Sequence, residues 1–183
     1  MRLKKIICLL TALITAAGMM PLLIGSNVSA SGEGEYWRSY GNRYYYDQLS
    51  ESDKKIYDKI DSELMKSLLS EDDIDCVEVD LSSFELKTTT ANYMHIRDIS
   101  LLVQNSNPEY FYFSSRFYTD PLPNQKKSTT YQTLFFDVLP DFVKGADREE
   151  AKNEIRAKVE EYLSYIPSDA LPEEAEKIIH DRM

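Results

Sequence analysis

Residues 110–118 read YFYFSSRFY and residues 130–139 read TYQTLFFDVL, and these two runs decide the fold. Both are dense in aromatic and aliphatic side chains, which suit the pleated, half-buried surface of a sheet. Residues 120–128 between them are polar and carry Pro121 and Pro123, so they form a connection rather than a strand. A link this short joins antiparallel neighbours, because a parallel pair needs a crossover of a dozen or more residues. The two runs therefore predict an antiparallel pair with a polar loop.

A third strand is predicted upstream at residues 74–81, where Val77, Val79 and Leu81 alternate with Glu78 and Asp80. Helical periodicity surrounds the strands. Ser50 and Asp53 resemble a capping box ahead of residues 51–69, in which Ile56, Ile60, Leu64 and Leu68 recur along one face. Thr88, Thr89 and Thr90 offer caps for a second helix over 91–104, with Ile99, Leu102 and Val103 as its apolar residues. Pro108 ends that stretch by pushing Asn107 out of the helical region. Asp147 and Glu150 predict the start of a third helix, whose buried stripe is Ala151, Ile155, Val159, Tyr162 and Ile166 before Pro167 closes it. This order predicts an α+β domain, a small, mainly antiparallel three-stranded sheet covered by three helices. Pro172, Glu173 and Glu174 open a further helix with an apolar face of Ala175, Ile178 and Ile179 and no stop residue, so an unfinished, frayed C-terminal helix is expected.

Residues 1–30 read as a signal peptide. Arg2, Lys4 and Lys5 form a basic start, no charge follows from Ile6 to Gly25, and Val28-Ser29-Ala30 supplies a small-residue cleavage site. The uncharged run approaches the length that spans a bilayer, so a retained anchor is the alternative to cleaved secretion, and the sole route to a membrane. Removing residues 1–30 takes away three positive charges and leaves 18 Lys+Arg against 31 Asp+Glu, a net charge of −13. That balance repels nucleic acid and anionic wall polymers at long range, which counts against both as partners, and no nucleic-acid partner is expected. Of the two cysteines, Cys8 falls in the apolar signal core and leaves Cys76 with no intramolecular disulfide partner. Stability must come from a packed core.

The residues that could carry chemistry form no complete set. A thiol enzyme needs a cysteine beside a histidine base, and Cys76 with His95 is the pair the folded part offers. Asp75 and Glu78 flank Cys76 and disfavour its thiolate, so a structural cysteine is expected. Glu71, Asp72, Asp73 and Asp75 lack the glycine and the alternation of a calcium loop, and two distant histidines give no zinc motif. No phosphate-cradling glycine loop is present, and no cofactor or metal is expected. Residues 31–46 form an aromatic-rich arm in which Tyr36, Trp37 and Tyr40 are candidate ligand-binding rings. Their rings could stack on sugars, although packing of the arm onto the domain is the simpler use of such side chains.

Three segments resemble secreted transglutaminase-like proteins of Gram-positive bacteria: Tyr44-Tyr45-Tyr46-Asp47-Gln48-Leu49-Ser50 leading into Lys54 to Ile60, Asn107-Pro108-Glu109-Tyr110-Phe111-Tyr112, and Glu176-Lys177-Ile178-Ile179-His180-Asp181. The resemblance implies that residues 47–167 correspond to the N-terminal region of such a protein and 168–183 to the start of its truncated core. It also implies a papain-like Cys-His-Asp triad downstream of His180 and Asp181. No catalytic residue carries over, since none of Cys76, His95 and His180 matches a triad position. Arg182 and Met183 stand where the family has an aromatic residue and a leucine. The expected function is an exported, non-catalytic accessory domain that packs against the missing downstream core. A free-standing secreted module that binds cell-wall glycan or a protein partner is the alternative, and a small hydrolase using Cys76 and His95 ranks last.

Overall fold

The computed structural model describes residues 32–39, 41, 43–123 and 129–182. The signal segment and Tyr40 lie outside the described residues. The chain divides into two compact units, one of residues 42–148 and the other of the segments up to Gly41 and from Glu149 onward.

The larger unit is built on the sheet. β1 (Cys76–Asp80), β2 (Phe113–Asp120) and β3 (Thr133–Val138) pair antiparallel in the order β1-β3-β2, which puts the TLFFDV run in the centre. Val77, Val79, Leu134, Phe136 and Val138 are buried on one face. α2 (Tyr44–Asp47) leads into α3 (Glu51–Leu69), and α4 (Thr90–Ser106) follows β1. α3 packs on β1 and α4, burying the predicted Ile56, Ile60, Leu64 and Leu68. Ser50 Oγ accepts from the Asp53 amide at 3.2 Å and Thr89 Oγ1 from the Asn92 amide at 3.2 Å, so both expected caps operate. The fold is α+β with a three-stranded antiparallel sheet and six α-helices among the described residues.

Two boundaries move for tertiary reasons. β2 begins at Phe113 rather than at Tyr110, because Pro108–Tyr110 forms a 3-10 turn. Hydroxyl groups then tie the turn to α3: Tyr110 donates to Asp61 Oδ1 at 2.5 Å and Tyr112 to the Leu64 carbonyl at 3.0 Å. α5 (Gly145–Leu163) starts ahead of Asp147, which falls within its first turn. Its opening amide, on Gly145, donates to the side chain of Asp73 at 3.1 Å, a cap supplied from 72 residues away.

The smaller unit contains α1 (Glu33–Arg38), α5 from Glu149 onward and α6 (Pro172–His180). Ala151, Ile155 and Val159 are buried as the stripe predicts, while Tyr162 and Ile166 are partly exposed. Lys152 interrupts the expected polar face by being buried, its ammonium 3.0 Å from Glu33 and 2.6 Å from Glu149. α6, the expected C-terminal helix, has tertiary contacts: Ile179 is buried and the Arg182 guanidinium lies 4.0 Å from the centre of the Tyr165 ring. That contact and that burial supply tertiary support, which a helix of this length needs.

Candidate functional site

Three consecutive tyrosines open the larger unit, and helical geometry separates their roles. Each residue turns about 100° around a helix axis, so a one-turn helix cannot bury three neighbours at once. Tyr46 faces inward. Its hydroxyl donates to Asp58 Oδ2 at 3.1 Å and its ring meets the Tyr57 ring edge-on at 4.9 Å. The Arg43 guanidinium lies 4.1 Å from the centre of the same ring. Gln48 Nε2 donates to the Tyr44 carbonyl at 3.0 Å and fixes the end of the turn. Tyr44 and Tyr45 are left outward, 65% and 55% exposed, with their rings edge-to-face at 5.1 Å.

Tyr45 forms one wall of a groove of about 460 Å³, a size that suits a small ligand. α4 supplies the rest of the lining, with Asp98, Leu101, Leu102, Asn105 and Ser106. An aromatic ring, two leucines, a carboxylate and a carboxamide thus converge on one concave surface. Asp98 and Asn105 are exposed, so their polar ends reach solvent at the groove.

The neighbouring segment from Asn107 to Tyr112 serves the scaffold. Asn107 Nδ2 donates to the Tyr57 hydroxyl and to the Val103 carbonyl, both at 2.7 Å, which closes the end of α4 and holds α3 beside it. Glu109 is buried in the same cluster. Burial is the chief reason that the Tyr57 hydroxyl is pushed up to about 12, with the nearby carboxylates of Asp61 and Glu109 adding to it. Tyr110 and Tyr112 are raised in the same direction, again chiefly by burial.

The candidate rings of the arm occupy other surroundings. Trp37 is 1% exposed and meets Tyr36 edge-on at 5.2 Å. Arg156 lies 4.6 Å from the Tyr36 ring and 5.8 Å from that of Trp37, and 3.7 Å from Glu33. This cluster joins α1 to α5 within the smaller unit.

Cys76 and His95 are engaged by different groups. Burial, then Asp137, raises the Cys76 thiol, and Asp75 and Glu78 act in the same direction. His95 Nε2 sits 2.9 Å from Asp53 Oδ1, across the first turn of α3. No hydrogen bond joins the thiol to the imidazole among the described residues. The acidic turn has local duties: Asp73 caps α5, and Asp72 Oδ2 accepts from Ser70 Oγ at 3.2 Å. Among the described residues no group of three His, Cys, Asp or Glu side chains is arranged to hold a metal ion.

Sequence reasoning placed Tyr44 and Tyr45 in the arm without singling them out as ligand rings. The available signal was the unbroken triplet, which forces some rings outward if it is helical. Compared with family models, curated proteins and solved structures, the chain matches none.

Proposed function

We propose that this chain is an exported, non-catalytic binding module and that the groove beside Tyr45 takes a carbohydrate of the cell-wall glycan class. The observation that carries the reading is the meeting of an open tyrosine ring with Asp98 and Asn105 in one groove. Sugars offer an apolar CH face that stacks on an aromatic ring and hydroxyls that both donate and accept hydrogen bonds. A carboxylate accepts from those hydroxyls, and a carboxamide does both. Enclosure is modest, as suits an extended polymer read from one side. The raised Cys76 thiol and the engagement of His95 by Asp53 support a role without covalent chemistry.

The resemblance of residues 44–60 and 107–112 to transglutaminase-like proteins fits the same role, since an accessory domain would present substrate to a catalytic core. The test is retention of the purified chain on insoluble cell-wall glycan. Tyr45→Ala and Asn105→Ala should each weaken retention about tenfold, the loss of roughly 1.4 kcal/mol of binding energy, while Tyr45→Phe keeps most of it. Equal retention of wild type and Tyr45→Ala, or none by wild type, would refute the reading.

A further inference from the structure

The sheet has a second face, and its residues follow from the register. Glu78 and Tyr118 flank Phe135, Asp80 and Asp120 flank Thr133, and Cys76 sits beside Asp137. Glu78, Asp80, Tyr118 and Asp120 are exposed, while Cys76, Thr133, Phe135 and Asp137 are half-buried. The Tyr118 ring, 43% exposed, stacks on Phe135 with centres 4.8 Å apart and planes 13° from parallel. An open aromatic platform therefore lies among four carboxylates.

Their charge is poorly answered among the described residues. Among the described residues none of Glu78, Asp80, Asp120 and Asp137 forms an ion pair. Asp80 accepts from the Ser82 amide at 2.9 Å and feels Lys59, but that ammonium is paired with Glu63 at 2.8 Å. Arg116, exposed on β2 two residues before Tyr118, falls on the same face by strand alternation and is the one cation of the three strands, but no ion pair joins it to these carboxylates among the described residues. Strands lie about 4.8 Å apart, so Asp80 and Asp120 are roughly 10 Å from each other across Thr133. At that range like charges still repel, and a cation laid between them relieves the repulsion.

We infer that this face docks an arginine-bearing, extended segment of a partner polypeptide. The geometry selects the occupant. An extended chain presents alternate side chains on one side at intervals of about 7 Å, the same spacing that separates Glu78 from Asp80 along β1. A planar guanidinium stacks on the open face of the Tyr118 ring, which a lysine ammonium does less well, while another arginine of the same segment pairs with the carboxylates across Phe135. A second copy of this chain would bring the same carboxylates to the interface and is disfavoured by its own charge. The face shares no residue with the Tyr45 groove and does not depend on that reading.

The experiment is fluorescence anisotropy of a short peptide alternating Arg and Thr, titrated with the purified chain at low and at high salt. Its Lys and Glu counterparts are the controls. The Arg peptide should bind at low salt, the Lys peptide about tenfold more weakly and the Glu peptide not at all. Tyr118→Ala, and the pair Glu78→Gln with Asp120→Asn, should each weaken binding about tenfold. All three positions are exposed, so melting curves should match wild type. The control pair Glu154→Gln with Glu160→Gln removes equal charge from exposed positions of α5 and should leave binding unchanged. No binding by wild type, or an equal loss in the α5 pair, would overturn the inference. A Tyr118-dependent dimer in sedimentation would overturn it as well, by making the face a self-interface.

Discussion

Replacing Arg148 by methionine should destabilise the chain by about 3 kcal/mol, although nothing in the sequence marks that arginine as buried. Its side chain is 0% exposed. Nη1 donates to the carbonyls of Phe142 and Val143, each at 2.8 Å, and Nη2 to the carbonyl of Ser70 at 3.3 Å and to that of Asp72. Ser70 is the C-cap of α3, so the guanidinium lies where the helix dipole is negative and welcomes a cation. No carboxylate pairs with it among the described ion pairs, and carbonyl dipoles hold the charge instead. Methionine fills much of the same volume but donates nothing. Val143 keeps a second partner in the Ile74 amide at 2.8 Å, so about three carbonyls lose their donor, each worth roughly 1–2 kcal/mol. Against this loss stands the relief of the cost of burying a charge, which brings the net to the figure above. Arg148→Ala should cost more, about 4 kcal/mol, because it adds a cavity. Arg148→Lys should fall between, since one ammonium cannot span two pairs of carbonyls. Urea unfolding followed by far-ultraviolet circular dichroism measures all three. An Arg148→Met variant within about 0.5 kcal/mol of wild type would show that the clamp contributes nothing, and the reasoning would fail.

Gly145→Ala should destabilise rather than stabilise, reversing the usual gain of about 0.5–1 kcal/mol for that change in a helix, because a β-carbon there would collide with the Glu71 backbone. An unchanged melting temperature would contradict it. Stability should fall as pH rises above about 10. Unfolded tyrosines ionise there, while Tyr57 holds its proton to about 12 and Tyr110 and Tyr112 are also raised, so the native state binds more protons. Each such group contributes a slope of roughly 1.4 kcal/mol per pH unit. Tyr57→Phe should flatten the curve between pH 10 and 12, and an unaltered slope would exclude Tyr57 as a source. Cys76 should react slowly with iodoacetamide at neutral pH, since burial and Asp137 hold its thiol protonated; labelling as fast as a free thiol would count against that placement.

Features that depend on periodicity and local chemistry were legible in the amino-acid order alone. The run TLFFDV alternates and is hydrophobic enough to lie in the centre of a sheet, and Ser50, Thr89 and the Ile56 to Leu68 stripe announce their helices within a few residues of where they act. Such signals are legible because cap, stripe and turn are satisfied by neighbours a few positions away. Tertiary structure decided everything that takes a partner from far along the chain. Asp73 caps α5 across 72 residues, Arg148 clamps carbonyls on either side of the sheet sequence, and the hydroxyls of Tyr110 and Tyr112 divert an aromatic run from strand into turn. The candidate groove divides the same way. A tyrosine triplet must leave a ring outward, but only the packing of α2 against α3 decides that Tyr46 is held and Tyr45 is open. Asp98 and Asn105 reach that ring from a helix about 50 residues on, and a spacing that long leaves no pattern in a sequence, because it is set by how helices pack and not by how any one of them turns.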